Sequence, residues 1–233
     1  MIVNSHNDWD PLEEIIVGHA HHSRIATDIS ARSFSYANFP KEDVEKLEGT
    51  YPQWVIDEAN EDADGLAKAL EDLGVIVHRP KIIDWDKKNY DIGQGWNTKG
   101  WYSWCPRDLI LPLGDMLIET PTPVRARYFE TRLYEDIMYE AFEDGALWMS
   151  APKPKLHDDM YTFEDIENKP TLLDHEICFD APNIVRVGTD LLYQVSNSGN
   201  MKGYKWLKRI LEPMGYKKHN NELHNIAQLE NTT

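Results

Sequence analysis

Between Asp174 and Gly188 the chain reads Asp-His-Glu-Ile-Cys-Phe-Asp-Ala-Pro-Asn-Ile-Val-Arg-Val-Gly. This sets an imidazole (His175), a thiol (Cys178) and a carboxylate (Asp180) ahead of an apolar strand, Ile184 to Val187. Such groups serve proton transfer, nucleophilic attack and cation binding. Reactive groups at a strand entry are a common way to build a site, because loops supply chemistry and the sheet fixes its geometry. Each residue also has a plain structural explanation. Cys178, between Ile177 and Phe179, reads as a small buried hydrophobe. His175 beside Asp174 reads as an exposed turn, and Asp180 before Ala-Pro as an Asx-turn or strand-entry cap. His19, His21 and His22 form a second cluster, but no further ligands stand near them. They read as a solvated loop and no metal is expected.

The elements that must hold these residues are legible. Leu12 to Val17 is a strand ending at Gly18. Tyr51 to Leu73 is helical, with apolar Val55, Ala59, Ala63, Leu66, Leu70 and Leu73 recurring at spacings of three and four. Gly74 caps it, and Val75 to Val77 is a strand. Leu109 to Leu113 and Met116 to Glu119 form a hairpin about Gly114-Asp115. A helix from about Arg127 to Glu143 and a strand from Ala146 to Met149 follow. Asn183 to Val187 and Leu191 to Val195 make a second hairpin, then come a helix from Tyr204 to Leu211 and a strand from Tyr216 to Lys218. One unit therefore recurs three times: strand, Gly turn, strand, helix, Gly, strand. The helix-capping glycines Gly74, Gly145 and Gly215 stand 71 and 70 residues apart, and Gly114 and Gly188 stand 74 apart. A fixed order at a period near 70 indicates modules packed side by side. Asp10, Asp108 and Asp180 each precede a module's first strand. Related by rotation, two or three of these carboxylates would face one pocket suited to a guanidinium cation.

With 233 residues, 41% hydrophobic and 27% charged, the chain is an ordinary globular protein large enough for a sizeable core. Its 24 basic and 40 acidic residues give a net charge of −16, a field that repels nucleic acid and anionic lipid and attracts cationic amines or guanidines. Two cysteines make no disulfide framework, and neither a signal peptide nor a membrane span is visible, so a cytoplasmic location is expected.

Four stretches carry a resemblance to a known family: Asn7-Asp8-Trp9-Asp10-Pro11-Leu12-Glu13-Glu14-Ile15-Ile16-Val17-Gly18, Cys105-Pro106-Arg107-Asp108, Ala151-Pro152-Lys153-Pro154 and Cys178-Phe179-Asp180-Ala181. With Arg125 to Glu130 and the helix opening Tyr204-Lys205-Trp206, they resemble, in order and over residues 2 to 215, the arginine-type amidinotransferases. That is the family of glycine amidinotransferase and inosamine amidinotransferase. The resemblance implies an α/β (α+β) pentein-type propeller, with about three ββαβ modules present of a five-module ring. Residues 1–219 would form this partial domain and 220–233 a polar tail. It further implies transfer of the amidino group of arginine to an acceptor amine such as glycine, through a cysteine thiouronium and with no cofactor. By motif, Asp108 resembles the carboxylate that holds the guanidinium. Asp180 resembles the one that pairs with the catalytic histidine and the substrate.

The family's histidine and nucleophilic cysteine find no match. His219 and His224 lack the flanking residues, and Cys105 and Cys178 sit at other positions. The expectation is a chain not competent alone, with self-association or a partner chain to complete it. The alternatives are a non-catalytic arginine-binding or partner subunit, one half of a split enzyme, or, less well matched, a deiminase-type guanidine hydrolase.

Overall fold

The computed structural model describes residues 1–216; the expected strand at Tyr216 to Lys218 falls almost wholly outside them, as do His219, His224 and the 220–233 tail. The centre of the molecule is a three-stranded sheet. Ile110–Leu113 pairs antiparallel with Met116–Glu119, which pairs parallel with Leu147–Ser150. Gly114 turns the hairpin at φ +57, a left-handed conformation that favours glycine. The helix Glu135–Glu143 crosses over between the parallel strands. Alternation along the two hairpin strands sends Leu111, Leu113, Met116 and Ile118 to one face. Ile110 and Leu117 go to the other, with Leu133, Tyr134, Met138 and Trp85.

The first face packs against the C-terminal hairpin, Ile184–Val187 with Asp190–Tyr193, and the helix Met201–Leu211 that follows it. Toward the N-terminus, Glu14–Ile16 pairs parallel with Ile76–His78, and the helix Gln53–Asp72 links them. Among the described residues the full strand-turn-strand-helix-strand order is thus present once, over residues 110–150. The N-terminal unit departs from the expected order: of the strands before its helix only Glu14–Ile16 joins the strand after it, while Arg24–Ile25 and Gly49–Thr50 pair antiparallel with each other. Gly18 instead lies against another backbone: a Cβ there would stand 2.4 Å from the Ser103 carbonyl oxygen and 2.5 Å from the Trp104 Cα.

Two helix readings change. The stripe that the long helix turns inward is Ile56, Asn60, Ala63, Ala67 and Leu70, while Leu66 and Leu73 are exposed. Polar Asn60 belongs to it because its Oδ1 accepts the Ala20 N–H at 2.8 Å, which an apolar-periodicity reading cannot anticipate. The expected helix from Arg127 begins only at Glu135. Arg125–Arg127 and Glu130–Leu133 are 3-10 turns, and they carry Arg127 and Glu130 into the interior. Among the described residues no helix is long and apolar enough to cross a membrane.

Candidate functional site

The site is assembled by two short turns that pack together. The first, Pro106–Leu109, enters the central hairpin and carries Asp108. Its backbone is pinned to the end of the neighbouring strand: Thr120 Oγ1 donates to the Asp108 carbonyl at 3.0 Å and Thr120 N to the Leu109 carbonyl at 2.9 Å. The second turn, Ala181–Asn183, enters the C-terminal hairpin and follows Asp180. Asn183 holds it, accepting the Asp180 N–H at 3.3 Å and donating to the Gln194 carbonyl and Ser196 Oγ at 2.8 and 2.9 Å.

Between the turns lies Arg127, with no solvent exposure. Its Nε and Nη2 make a two-pronged contact with Glu130 at 2.7 and 2.9 Å. Nη1 donates to Asp108 Oδ2 at 2.5 Å, Nη2 also donates to the Cys105 carbonyl at 3.2 Å, and the guanidinium sits 4.8 Å above the Tyr102 ring. This fork geometry is what guanidinium supplies and ammonium does not. Burial works against the Arg127 charge, but Glu130 and Asp108 hold its pKa well above the ordinary arginine value.

Three carboxylates thus share one buried cation. Burial pushes the Glu130 carboxyl up against the pull of Arg127. Asp180 is 2% exposed, and its Oδ1 has no hydrogen-bond partner among the described residues. Burial pushes its pKa up to about 7; Arg127 and a Thr122 hydrogen bond oppose the rise, and Asp108 adds to it. Asp108 is the cluster's opening to solvent, with its side chain 21% exposed. An acidic group raised toward neutrality by burial and by a like charge ionises more readily when a positive charge lies beside it.

Of the residues singled out in sequence, Asp108 and Asp180 converge here. Asp10 does not: it is exposed, and its Oδ2 accepts from Asn7 Nδ2 at 2.7 Å in a local turn. Glu130 stands as the third carboxylate in its place. His175 points to solvent, 3.9 Å from Asp159. Cys178 is fully buried beside Trp96, Leu156, Met160 and Tyr161, and burial raises its thiol pKa well above the ordinary value. Burial and then Asp108 push Cys105 up to about 11. Neither thiol has the electropositive setting of a nucleophile. The histidine loop also departs from expectation at one residue. His19 is buried, its Nε2 donating to the Lys81 carbonyl at 3.2 Å and its Nδ1 lying 3.0 Å from Ser103 Oγ, and burial holds its pKa down at about 4. His21 and His22 are exposed. Among the described residues no three His, Cys, Asp or Glu side chains stand as a metal-binding group. Arg127 and Glu130 fall within the stretch whose sequence predicts a helix, and the helix begins only at Glu135. Their spacing of three among Ala126, Tyr128 and Phe129 was the available signal.

No family model matches the chain. Individual relatives do. Inosamine-phosphate amidinotransferase 1 of Streptomyces griseus is 43% identical over 210 residues, which are 89% of this chain and 59% of that protein. The mitochondrial glycine amidinotransferase of Xenopus laevis is 35% identical over 234 residues, covering 93% and 54%. The solved structure of the S. griseus inosamine-phosphate amidinotransferase superposes with a TM-score of 0.84 at 40% identity, over 96% of this chain and 65% of the other. SxtG, an amidinotransferase from Microseira wollei in the saxitoxin biosynthetic pathway, gives 0.80 at 35% identity, over 93% and 61%. A dimethylarginine dimethylaminohydrolase gives 0.51 at 15% identity over 92% and 63%, a likeness of pentein fold alone. The chain spans somewhat more than half the length of the relatives it matches.

Proposed function

We propose, from the premise that this chain belongs to the amidinotransferase family over the part of it that it spans, that its acidic cluster receives the guanidinium group of an arginine-like donor. The observation that carries this reading is Asp180: a buried carboxyl whose Oδ1 has no hydrogen-bond partner among the described residues, beside Asp108. A guanidinium bound there offers N–H groups to that oxygen and a positive charge to both aspartates. Arg127, with Glu130, holds Asp108 in place without neutralising Asp180 by direct contact. In the family's reaction a thiolate attacks the guanidinium carbon, ornithine leaves as the amine, and the amidino group passes from sulfur to an acceptor amine. The described residues supply the binding and orienting half of that chemistry. Their two thiols are both raised in pKa and do not supply the nucleophile.

The same premise supports an architecture of about three ββαβ modules from a five-module ring. Because neither thiol is poised for attack, a second reading has support: a guanidinium-binding chain that is non-catalytic, or that is completed by a partner.

Calorimetry with arginine tests the binding reading. Bound guanidinium favours the ionised form of Asp180, so binding near pH 6 should release a proton, seen as a dependence of the heat on the buffer's ionisation enthalpy. The release should fade above pH 8, where Asp180 is already ionised. Asp108→Asn and Asp180→Asn should weaken binding by roughly tenfold or more, the scale of a lost charge-assisted contact. Arginine heats that are equal in both variants and the native chain would sink the reading.

A further inference from the structure

Residues 5 to 8, ahead of the first strand, touch both hairpins that follow the site aspartates. Ser5 pairs antiparallel with Gly114 at the turn of the central hairpin, through N–H to O contacts of 2.9 and 2.7 Å. The His6 carbonyl accepts the Gly188 N–H at 2.9 Å, at the turn of the C-terminal hairpin. Asp8 then meets an arginine from each side. Its Oδ2 lies 3.4 Å from Nη2 of Arg107, the neighbour of Asp108, and its Oδ1 accepts from Nη2 of Arg186 on the first strand after Asp180. Arg186 is 5% exposed. Its Nη1 donates to Ser5 Oγ at 2.5 Å and to the Pro112 carbonyl at 3.0 Å, so the guanidinium lies between the N-terminal segment and the central hairpin. Among the described residues Asp8 is the only carboxylate paired with it.

We propose that Asp8 is a positioning residue which, by clamping Arg107 and Arg186, fixes the separation of Asp108 and Asp180. A buried arginine deprived of the carboxylate paired with it must move toward water or draw in another partner. Either movement shifts the strand that follows Asp180 against the hairpin that follows Asp108. The consequence for ligand binding rests on the guanidinium-binding reading above; the clamp itself does not. Asp8 touches neither site aspartate, and its effect passes through the two arginines.

The test compares Asp8→Asn and Asp8→Glu with the native chain, with Asp72→Asn, at an exposed pair with Lys68, as a control. The readouts are the titration midpoint of the Asp180 carboxyl by 13C NMR, the arginine dissociation constant and the melting temperature. Asp8→Asn should move the Asp180 midpoint by about half a pH unit or more, since its nearest charges change distance. It should weaken arginine binding by roughly three- to tenfold, the size of coupling through shared neighbours. Asp8→Glu, which keeps the charge, should restore most of both, and Asp72→Asn should change neither. If Asp8→Asn lowers the melting temperature but leaves midpoint and affinity at native values, Asp8 is only a structural tie and the proposal fails. If the native chain binds no arginine, the guanidinium reading falls while the Asp180 midpoint still decides the clamp. Should Asp8→Asn not fold, Arg107→Gln at a half-exposed position removes one arm, and an unmoved midpoint there overturns the proposal equally.

Discussion

Arg125 and Arg127 stand two residues apart on one 3-10 turn, and both are buried, yet their surroundings differ in kind. Arg125 donates to the Leu156 carbonyl from Nε and Nη2, at 2.9 and 2.5 Å, and reaches the exposed Asp158 at 2.7 Å. Its guanidinium lies near the Trp96 and Tyr161 rings, 5.4 and 5.9 Å from their centroids. That is a satisfied staple between the turn and the 155–160 segment, with its one counter-charge in water. Arg127 sits among Asp108, Glu130 and Asp180, of which only the first two bond to it directly. An excess of acid around one cation is costly to bury. The contrast separates a guanidinium whose hydrogen bonds go mainly to a carbonyl from one buried among an excess of carboxyl groups.

The largest expected effect comes from removing that cation. Arg127→Met leaves buried carboxylates unpaired and should cost about 3–5 kcal/mol at pH 8 by urea unfolding. The loss should shrink at pH 5, below the pKa of about 7 to which burial raises the Glu130 and Asp180 carboxyls. An equal loss at both pH values would deny the acidic excess.

Next comes the pH dependence of Asp180. Its folded pKa of about 7 lies above the ordinary 3.8, so the folded chain holds a proton that the unfolded chain has released. The stability this group contributes is fully present below pH 3.8 and is lost as pH rises through 7, by up to ~1.4 kcal/mol per pH unit. Asp180→Asn should flatten the profile of unfolding free energy between pH 4 and 7. A profile as steep as the native one would place the titrating group elsewhere.

Arg125→Met should cost less than Arg127→Met, about 1–3 kcal/mol, because it leaves a carbonyl unsatisfied rather than charges unpaired. The exposed pair with Asp158 adds little. The cost should also be nearly independent of pH from 5 to 8. If it matches Arg127→Met in size and pH dependence, the distinction between the two arginines collapses.

The smallest effect belongs to Cys105. Cys105→Ser should change unfolding free energy by less than about 1 kcal/mol. With its pKa near 11, the native thiol should react with iodoacetamide at pH 8 roughly a hundredfold more slowly than a free cysteine. Rapid alkylation would restore Cys105 as a candidate nucleophile.

The hairpins about Gly114 and Gly188 and the crossover over residues 116–150 followed from apolar runs, glycine turns and helical spacing, all of them local signals. Boundaries moved where a tertiary partner overrode periodicity. Asn60 faces inward for the Ala20 N–H, and Arg127 and Glu130 leave the helix for the interior. The candidate site was legible for its two aspartates, because each stands just before a strand in a recurring order. Arg127 was not, since an arginine and a glutamate three residues apart read equally as a surface pair on a helix.

By itself the sequence determined where the two hairpins and the long N-terminal helix fall, that the chain is acidic, and that Asp108 and Asp180 stand at strand entries. Those properties depend on residues near one another in the chain. Only the tertiary structure decided that Asp108 and Asp180 meet while Asp10 stays in solvent, that Glu130 is the third carboxylate, and that His19 is neutral and buried. Burial is a property of everything packed around a group. Whether a carboxyl at pH 7 is a solvated charge or half-protonated depends on neighbours dozens of residues away in sequence.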